Sequence, residues 1–326
     1  MKLTTEQISS IAKGVVRTYE ENGMVFLCRF TKEQEELYRV RSEDFYKKSF
    51  ATSGVTLEFI TDSTTLELEV NIGFGSSRFF FEHSIFVDGK FYASLGSKGQ
   101  TLGNFGGKWT LPKGEKHIKI YFPWSVSSRI IGLSLSDGAS LLPVKSEKKM
   151  IMFGDSITHG YDASYPHRSY ASRVADGLGA EAINKGIGAE VFYSEMAAAK
   201  DPVEPDYVTV AYGTNDWSKN KKESFEKNCK EFYENLSKNY PNAKIFAITP
   251  IWRHNYGHVN TVGTIDDVEA YIRSVAASLP NVTVIRGLEL VPADPVCFSP
   301  DVLHPNDEGF KHYANNLLAE IKKHID

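Results

Sequence analysis

The stretch Met150-Ile151-Met152-Phe153-Gly154-Asp155-Ser156-Ile157-Thr158-His159-Gly160 decides how the second half of the chain is read. Met150 to Phe153 is an uninterrupted apolar run, as in a strand buried on both faces. Polar residues that favour a helix start follow at once, so the segment predicts a strand turning sharply into a helix. A serine on such a turn has its hydroxyl exposed. Its own N–H points out at the helix start, where negative charge is favoured. That is a useful place for a serine nucleophile. Asp155 or Ser156 equally suits a plain N-cap with no further role.

A nucleophilic serine needs a base to take its proton, and the base needs a third group to fix its tautomer. Asp301-Val302-Leu303-His304-Pro305-Asn306 offers both near the C-terminus. Among nine histidines, His304 is the one with an Asp three residues before it and a Pro-Asn turn behind it. One turn can bring Asp301 to Nδ1 of His304 and leave Nε2 free for Ser156. Alone, the segment also reads as a surface Asp and His beside a helix cap.

Tyr212-Gly213-Thr214-Asn215-Asp216 follows the apolar run Tyr207 to Ala211, so it too sits at a strand's C-terminal end. Ligands bind at that edge in open α/β sheets. The Asn215 amide can donate to an oxyanion, or Asn-Asp can simply make a turn. Ile183-Asn184-Lys185-Gly186-Ile187-Gly188-Ala189-Glu190 is glycine-rich, which allows close backbone approach and a further N–H donor, or an ordinary tight turn.

In this order, the four segments resemble the blocks of the SGNH (GDSL-type) hydrolases, named for a Ser, Gly, Asn and His. The resemblance covers about residues 146–326. It implies a three-layer α/β/α fold with a flavodoxin-like parallel sheet, and acyl-ester hydrolysis. Ser156 would attack the ester carbonyl, His304 would act as base and then acid, and Asp301 would orient His304. The N–H of Ser156, an N–H near Gly188 and Ala189, and the Asn215 amide would hold the oxyanion. The second block departs from the pattern, which is usually Asn-x-Gly-Ile-x-Gly. Counting from Asn184, the last glycine's place falls on Ala189, with Gly188 just before it. A backbone donor survives a change from Gly to Ala if φ is negative and is strained if φ is positive. Asp155 is expected to stabilise the turn. No cofactor or metal is called for. Asp155, His159, Asn215, Asp216 and His304 could be read as ligands of a metallophosphoesterase, but their spacing lacks the Asp-x-His and Gly-His-x-His pairs of such sites.

The chain changes character near residue 145. Before it, Val55, Leu57 and Phe59 alternate with polar residues, as do Leu66, Leu68 and Val70, and Ile118, Ile120 and Phe122. Val87-Asp88-Gly89-Lys90 is a hairpin signal. Seven or more short strands predict a jelly-roll-like β-sandwich over 1–144. After it, strands at 148–153, 180–184, 206–212, 243–249 and 281–286 alternate with helices near 167–178, 221–239, 264–279 and 306–324. That βαβ pattern predicts a parallel sheet covered on both faces over 145–326. The join is short, so the two parts should pack closely. A sandwich ahead of an SGNH domain is similar in architecture to certain carbohydrate esterases that remove acetyl groups from plant polysaccharides. Trp217, Trp252 and Asp216 follow strand ends on the same edge and are candidate substrate contacts. Trp109 and Trp124 could bind sugar from the sandwich if exposed, but tryptophan is largely buried on average, which favours core or interface positions.

Composition agrees with an enzyme. The 326 residues are 41% hydrophobic and 24% charged, with a net charge of −4. No basic run suggests nucleic acid. No apolar stretch approaches the ~18 residues needed to cross a membrane. Cys28, Cys229 and Cys297 are widely spaced and make neither a zinc pattern nor a disulfide framework. No secretory signal is seen at the N-terminus, so the cytoplasm is the expected compartment. The expectation is a serine esterase acting on a small-molecule or oligosaccharide ester, with acetylated sugars as the substrate class. A lipase-like or thioesterase hydrolase would use the same site, and a carbohydrate-binding protein with an inactive hydrolase domain is the reading outside enzymes. The sequence leaves both monomer and homo-oligomer open.

Overall fold

The computed structural model describes residues 1–99 and 102–325. The first part of the chain runs α1 (Thr5–Ile11), β1 (Ala12–Lys13), β2 (Arg17–Glu21), β3 (Met24–Cys28), α2 (Lys32–Arg41), α3 (Glu43–Ser49), β4 (Thr56–Thr61) and β5 (Thr65–Gly73). It continues through β6 (Phe81–Val87), β7 (Lys90–Ser97), β8 (Gly103–Thr110), β9 (Lys116–Tyr121), β10 (Ser127–Leu135) and β11 (Leu142–Pro143). The strands form two antiparallel sheets. One is ordered β1-β4-β9-β6-β7, with β11 on β4, and the other β2-β3-β10-β5-β8.

The alternation in the sequence explains the packing. Leu66, Leu68, Val70 and Ile72 of β5 point to one side and are all buried. They share a core with Leu57 and Phe59 of β4 and Ile118 and Ile120 of β9, so the two sheets face each other. The β6–β7 hairpin turns at Asp88 (φ 48°) and Gly89 (φ 72°), the left-handed pair of a type I′ turn.

Three helices, α1, α2 and α3, interrupt the strand pattern that the sequence predicts for this half. Two of them begin with capping boxes legible in the sequence: Thr4 with Gln7, and Thr31 with Gln34. They are short, and only two or three residues of each are buried.

The second part runs β12 (Lys148–Gly154), α4 (Ser156–His159), α5 (Tyr170–Gly177), β13 (Ala180–Asn184), α6 (Ser194–Ala198), β14 (Tyr207–Ala211), α7 (Thr214–Lys219) and α8 (Lys222–Asn239). Then follow β15 (Lys244–Ile248), α9 (Ile265–Ala276), β16 (Val282–Ile285) and α10 (Asp307–Lys322). Every pairing in this sheet is parallel, and its order is β13-β12-β14-β15-β16. Successive side chains leave opposite faces. Ile151 and Phe153 pack with Phe225, Phe232 and Leu236 of α8 and Ile272 of α9. Met150 and Met152 pack with Val174 of α5 and Phe310 and Leu317 of α10. This is the three-layer α/β/α parallel fold expected from the βαβ pattern, with each strand within about two residues of its expected bounds.

Strand order reverses between β12 and β14. A crevice opens at such a reversal beyond the strands' C-terminal ends. Gly154 ends β12 there, where a Cβ would lie 2.0 Å from Thr158 Oγ1. Gly213 follows β14 with φ 116°, a left-handed start to α7 that a side chain would strain.

The two parts meet across a buried polar seam. Phe30 and Tyr38, before and on α2, belong to the same core as Ile151 and Phe192. Arg29 is fully buried and donates to the carbonyls of Ala51, Asn184, Gly186 and Lys48. Lys185 is equally buried and pairs with Asp201 at 2.6 Å while donating to Gln34 Oε1 and Arg29 O. The three cysteines are buried and free. Among the described residues, no helix is long and apolar enough to cross a membrane.

Removing one partner of a buried pair leaves an uncompensated charge and costs about 3–5 kcal/mol. Lys185→Met should therefore lower unfolding stability by about that much, and adding Asp201→Leu should restore much of it, as measured by urea denaturation. A neutral Lys185→Met would contradict this account of the seam.

Candidate active site

Ser156 is the first residue of α4, at the C-terminal end of β12, and is 8% exposed. Its turn is fixed by Asp155, whose Oδ1 accepts the N–H of Ile157 at 2.9 Å. Asp155 is buried, and that burial pushes its carboxyl up to about 6 despite the Ile157 hydrogen bond and the nearby His304. Its geometry is that of an N-cap.

His304 Nε2 lies 2.8 Å from Ser156 Oγ, and its Nδ1 lies 2.5 Å from Asp301 Oδ2. A carboxylate on Nδ1 fixes the proton there, so Nε2 presents its lone pair to the serine hydroxyl. The other oxygen of Asp301 accepts the backbone N–H groups of Leu303 (3.0 Å) and His304 (3.1 Å). Desolvation favours the neutral acid at Asp301. The hydrogen bonds from the His304 ring and from both N–H groups outweigh it and hold the carboxyl well below the usual range. Val302 sits inside this turn at φ 49°, a costly conformation for a β-branched residue. Tyr161 stacks on the His304 ring at 5.5 Å between centroids.

The loop after β13 runs between the Ser156 turn and α7. Ile187 N donates to Gly154 O at 3.0 Å, and Asn215 Nδ2 donates to Glu190 O at 3.0 Å. The N–H of Gly188 is taken: it donates to His159 Nδ1 at 3.2 Å. His159 is fully buried, with Nε2 on the carbonyl of Trp124 at 2.8 Å. Desolvation, then the charge of Arg29, holds it well below the usual imidazole range, so it is a neutral strut. Among the described residues, the N–H groups of Ser156 and Ala189 have no hydrogen-bond partner, and Asn215 Nδ2 has one N–H to spare. Of the two residues left open by the sequence, Ala189 thus has the free N–H and Gly188 does not. Ala189 has φ 73°, the strained alternative. Two lysines hold this loop by its carbonyls: Lys48 Nζ on Gly188 O at 3.1 Å and Lys219 Nζ on Ala189 O at 2.9 Å.

Two expected substrate contacts are corrected. Trp217 is fully buried, donates Nε1 to Gly263 O at 3.0 Å and stacks under Arg253, so it belongs to the core. Asp216 is also fully buried. It accepts from Phe192 N at 3.1 Å and Asn220 Nδ2 at 3.0 Å, and burial pushes its carboxyl up to about 7. Both face inward because α7 turns them under the site instead of over it. Trp252 is half-buried against Phe298, on a loop joined to the Asp301 turn by His254 N–H to Val302 O at 3.1 Å. Trp124 is buried between the two parts, with Nε1 on Ala163 O.

Residues overlooked in the sequence also stand here. Lys219 lies one helical turn beyond Asn215, a spacing that puts both on one face of α7. Tyr161 and Asp162 directly follow the first block. Arg78, from the sheet half, grips Asp162 through Nε at 2.8 Å and Nη2 at 3.3 Å. Nothing in the sequence pairs positions 78 and 162. Asp162, Asp301 and His304 are close enough to share a metal ion.

Residues 152–312 match the model of the GDSL-like lipase/acylhydrolase family. They form a GDSL-like lipase/acylhydrolase domain. It is the domain of a carboxylic ester hydrolase. No curated protein sequence matches the chain. Among solved structures, the chain resembles the salicylyl-acyltransferase SsfX3 of a tetracycline biosynthetic pathway, at 21% identity and a TM-score of 0.82, over 96% of this chain and 94% of that one. It also resembles a family two carbohydrate esterase from Clostridium thermocellum in complex with cellohexaose, at 19% identity and 0.67, over 84% and 93%. An acetyl xylan esterase from the rumen bacterium Butyrivibrio proteoclasticus matches at 15% identity and 0.61, over 84% and 91%. At these identities the likeness is one of fold.

The left-handed Ala189 gives the GDSL-like domain a measurable strain. Ala189→Gly should raise stability by about 1 kcal/mol and keep activity, whereas Ala189→Val should lose stability, both read by thermal unfolding. A destabilised Ala189→Gly would contradict the assigned conformation.

Proposed function

We propose that the protein hydrolyses short acyl esters, O-acetyl groups on a carbohydrate being the substrate class, through an acyl-enzyme on Ser156. The observation that carries the reading is the unbroken chain Ser156 Oγ, His304 Nε2, His304 Nδ1, Asp301 at the strand-order reversal. Ser156 Oγ attacks the carbonyl carbon and its proton passes to His304 Nε2. Asp301 holds the ring and stabilises the imidazolium. The free N–H groups of Ser156 and Ala189 and the spare Asn215 N–H suit the developing oxyanion, each such donor being worth about 10²–10³ in rate. Collapse expels the alcohol, which takes the proton from Nε2. Water then attacks the acyl-enzyme, with His304 as base, and releases acid and free serine.

The carbohydrate part rests on two weaker supports. The fold is shared with family two carbohydrate esterases, including one bound to cellohexaose. A cleft of about 680 Å³ also adjoins Asp301. Arg78, Phe80 and Lys98 of the sheet half line it together with Asp162 and Tyr165. Aromatic rings beside charged groups suit a polyhydroxy leaving group. In this reading residues 1–144 are a sandwich domain and 145–326 the hydrolase domain. The likeness to an acyltransferase at a TM-score of 0.82 favours a second outcome, in which an alcohol replaces water in the last step.

A panel of nitrophenyl esters of rising chain length, with acetylated xylo- and cello-oligosaccharides, tests this. Acetyl should be preferred, and Ser156→Ala should lose about 10⁴-fold or more in kcat. A preference for C8 or longer acyl chains would contradict the deacetylase reading. Acyl transfer to added alcohols in place of hydrolysis would favour the transferase.

A further inference from the structure

His304 Nδ1 faces two carboxylates. Asp301 Oδ2 accepts its proton at 2.5 Å, and Asp162 Oδ2 stands 3.8 Å from the same nitrogen. Asp162 is the better buried of the two, with its side chain 16% exposed against 39% for Asp301. Its backbone lies at φ 71°. Aspartate tolerates this left-handed conformation, which turns the chain so that the Asp162 carboxylate faces the imidazole. Arg78 fixes that carboxylate: its guanidinium takes both Asp162 oxygens and lies over the Tyr161 ring at 5.2 Å. Tyr161 in turn stacks on His304, and its hydroxyl accepts from Ser77. The sheet half thus reaches the imidazole through Arg78, Tyr161 and Asp162.

We propose that Asp162 is a second positioning carboxylate for His304, resting on the reading of Ser156 and His304 given above. Nδ1 has one proton and bonds Asp301 in this arrangement. A shift of about 1 Å would bring it to hydrogen-bonding distance of Asp162. The ring therefore keeps an acceptor on Nδ1 when Asp301 leaves, and Asp301 and Asp162 act as alternatives for one role.

Two residues that substitute for each other are worth more together than the sum of their single removals. Replacing the sole acid of such a site by Asn costs about 10⁴ in kcat. Here Asp301→Asn should cost no more than about 10², because Asp162 takes the proton, and Asp162→Asn alone less than about 10-fold. The double variant should fall by about 10⁴, with KM changed little throughout. Kinetics on nitrophenyl acetate, with thermal unfolding of each variant, measure this. A merely structural role for Asp162 would lower stability and would not depend on residue 301. Asp162→Gly suits φ 71° and repeats the test if the Asn variant fails to fold. A full 10⁴-fold loss in Asp301→Asn alone, or a double variant equal to it, overturns the proposal. Wild-type turnover in Ser156→Ala overturns the nucleophile reading instead.

Discussion

The reversal of strand order between β12 and β14 is the constraint on which everything else hangs. It opens the sheet's C-terminal edge at one point and puts the ends of two adjacent strands on either side of it. Ser156 leaves one end and Asn215 the other. The loop after β13 fills the gap, tied to β12 through Gly154 O and to α7 through Glu190 O. The C-terminal segment then brings His304 to a serine 148 positions earlier in the chain. Moving any of these strand ends by one residue would break a contact that tolerates only tenths of an ångström.

The sheet half is built into this arrangement. Its Arg29 holds the carbonyls of Asn184 and Gly186, at the base of the loop carrying Ala189. Lys48 holds the carbonyl of Gly188, two residues on. Buried cations are poor sources of stability, because desolvation offsets most of their attraction. Their geometric effect is clearer: several fixed donors pin a loop that contains a strained alanine. An ordinary glycine would relax there, and the lysine contacts of this chain hold the alanine in the same backbone shape.

Periodicity made the parallel sheet legible, since apolar runs and helical faces recur wherever a strand or helix must bury a side. The motif spacing likewise marked Ser156, Asn215, Asp301 and His304. What could not be read was orientation within a turn. Trp217 and Asp216 sit beside Asn215 in sequence, yet a helical start sends neighbours to opposite sides, so these two go under the site. The sign of φ at Ala189 is set by the loop's tertiary contacts and not by the local sequence. Arg78 and Asp162 were invisible because their meeting depends on how two halves dock, which no local pattern encodes. The helices α1 and α2 carry capping boxes, Thr4 with Gln7 and Thr31 with Gln34, inside a half whose alternating pattern is that of strands.

The central claim is that Ser156 is the residue that accepts the acyl group. Treating the protein with a serine-directed fluorophosphonate and measuring intact mass, followed by peptide mapping, tests it most directly. One adduct per chain on Ser156, absent from Ser156→Ala and slowed in His304→Ala, is the expected result. Absence of an adduct, or an adduct on another serine that persists in Ser156→Ala, would contradict the account.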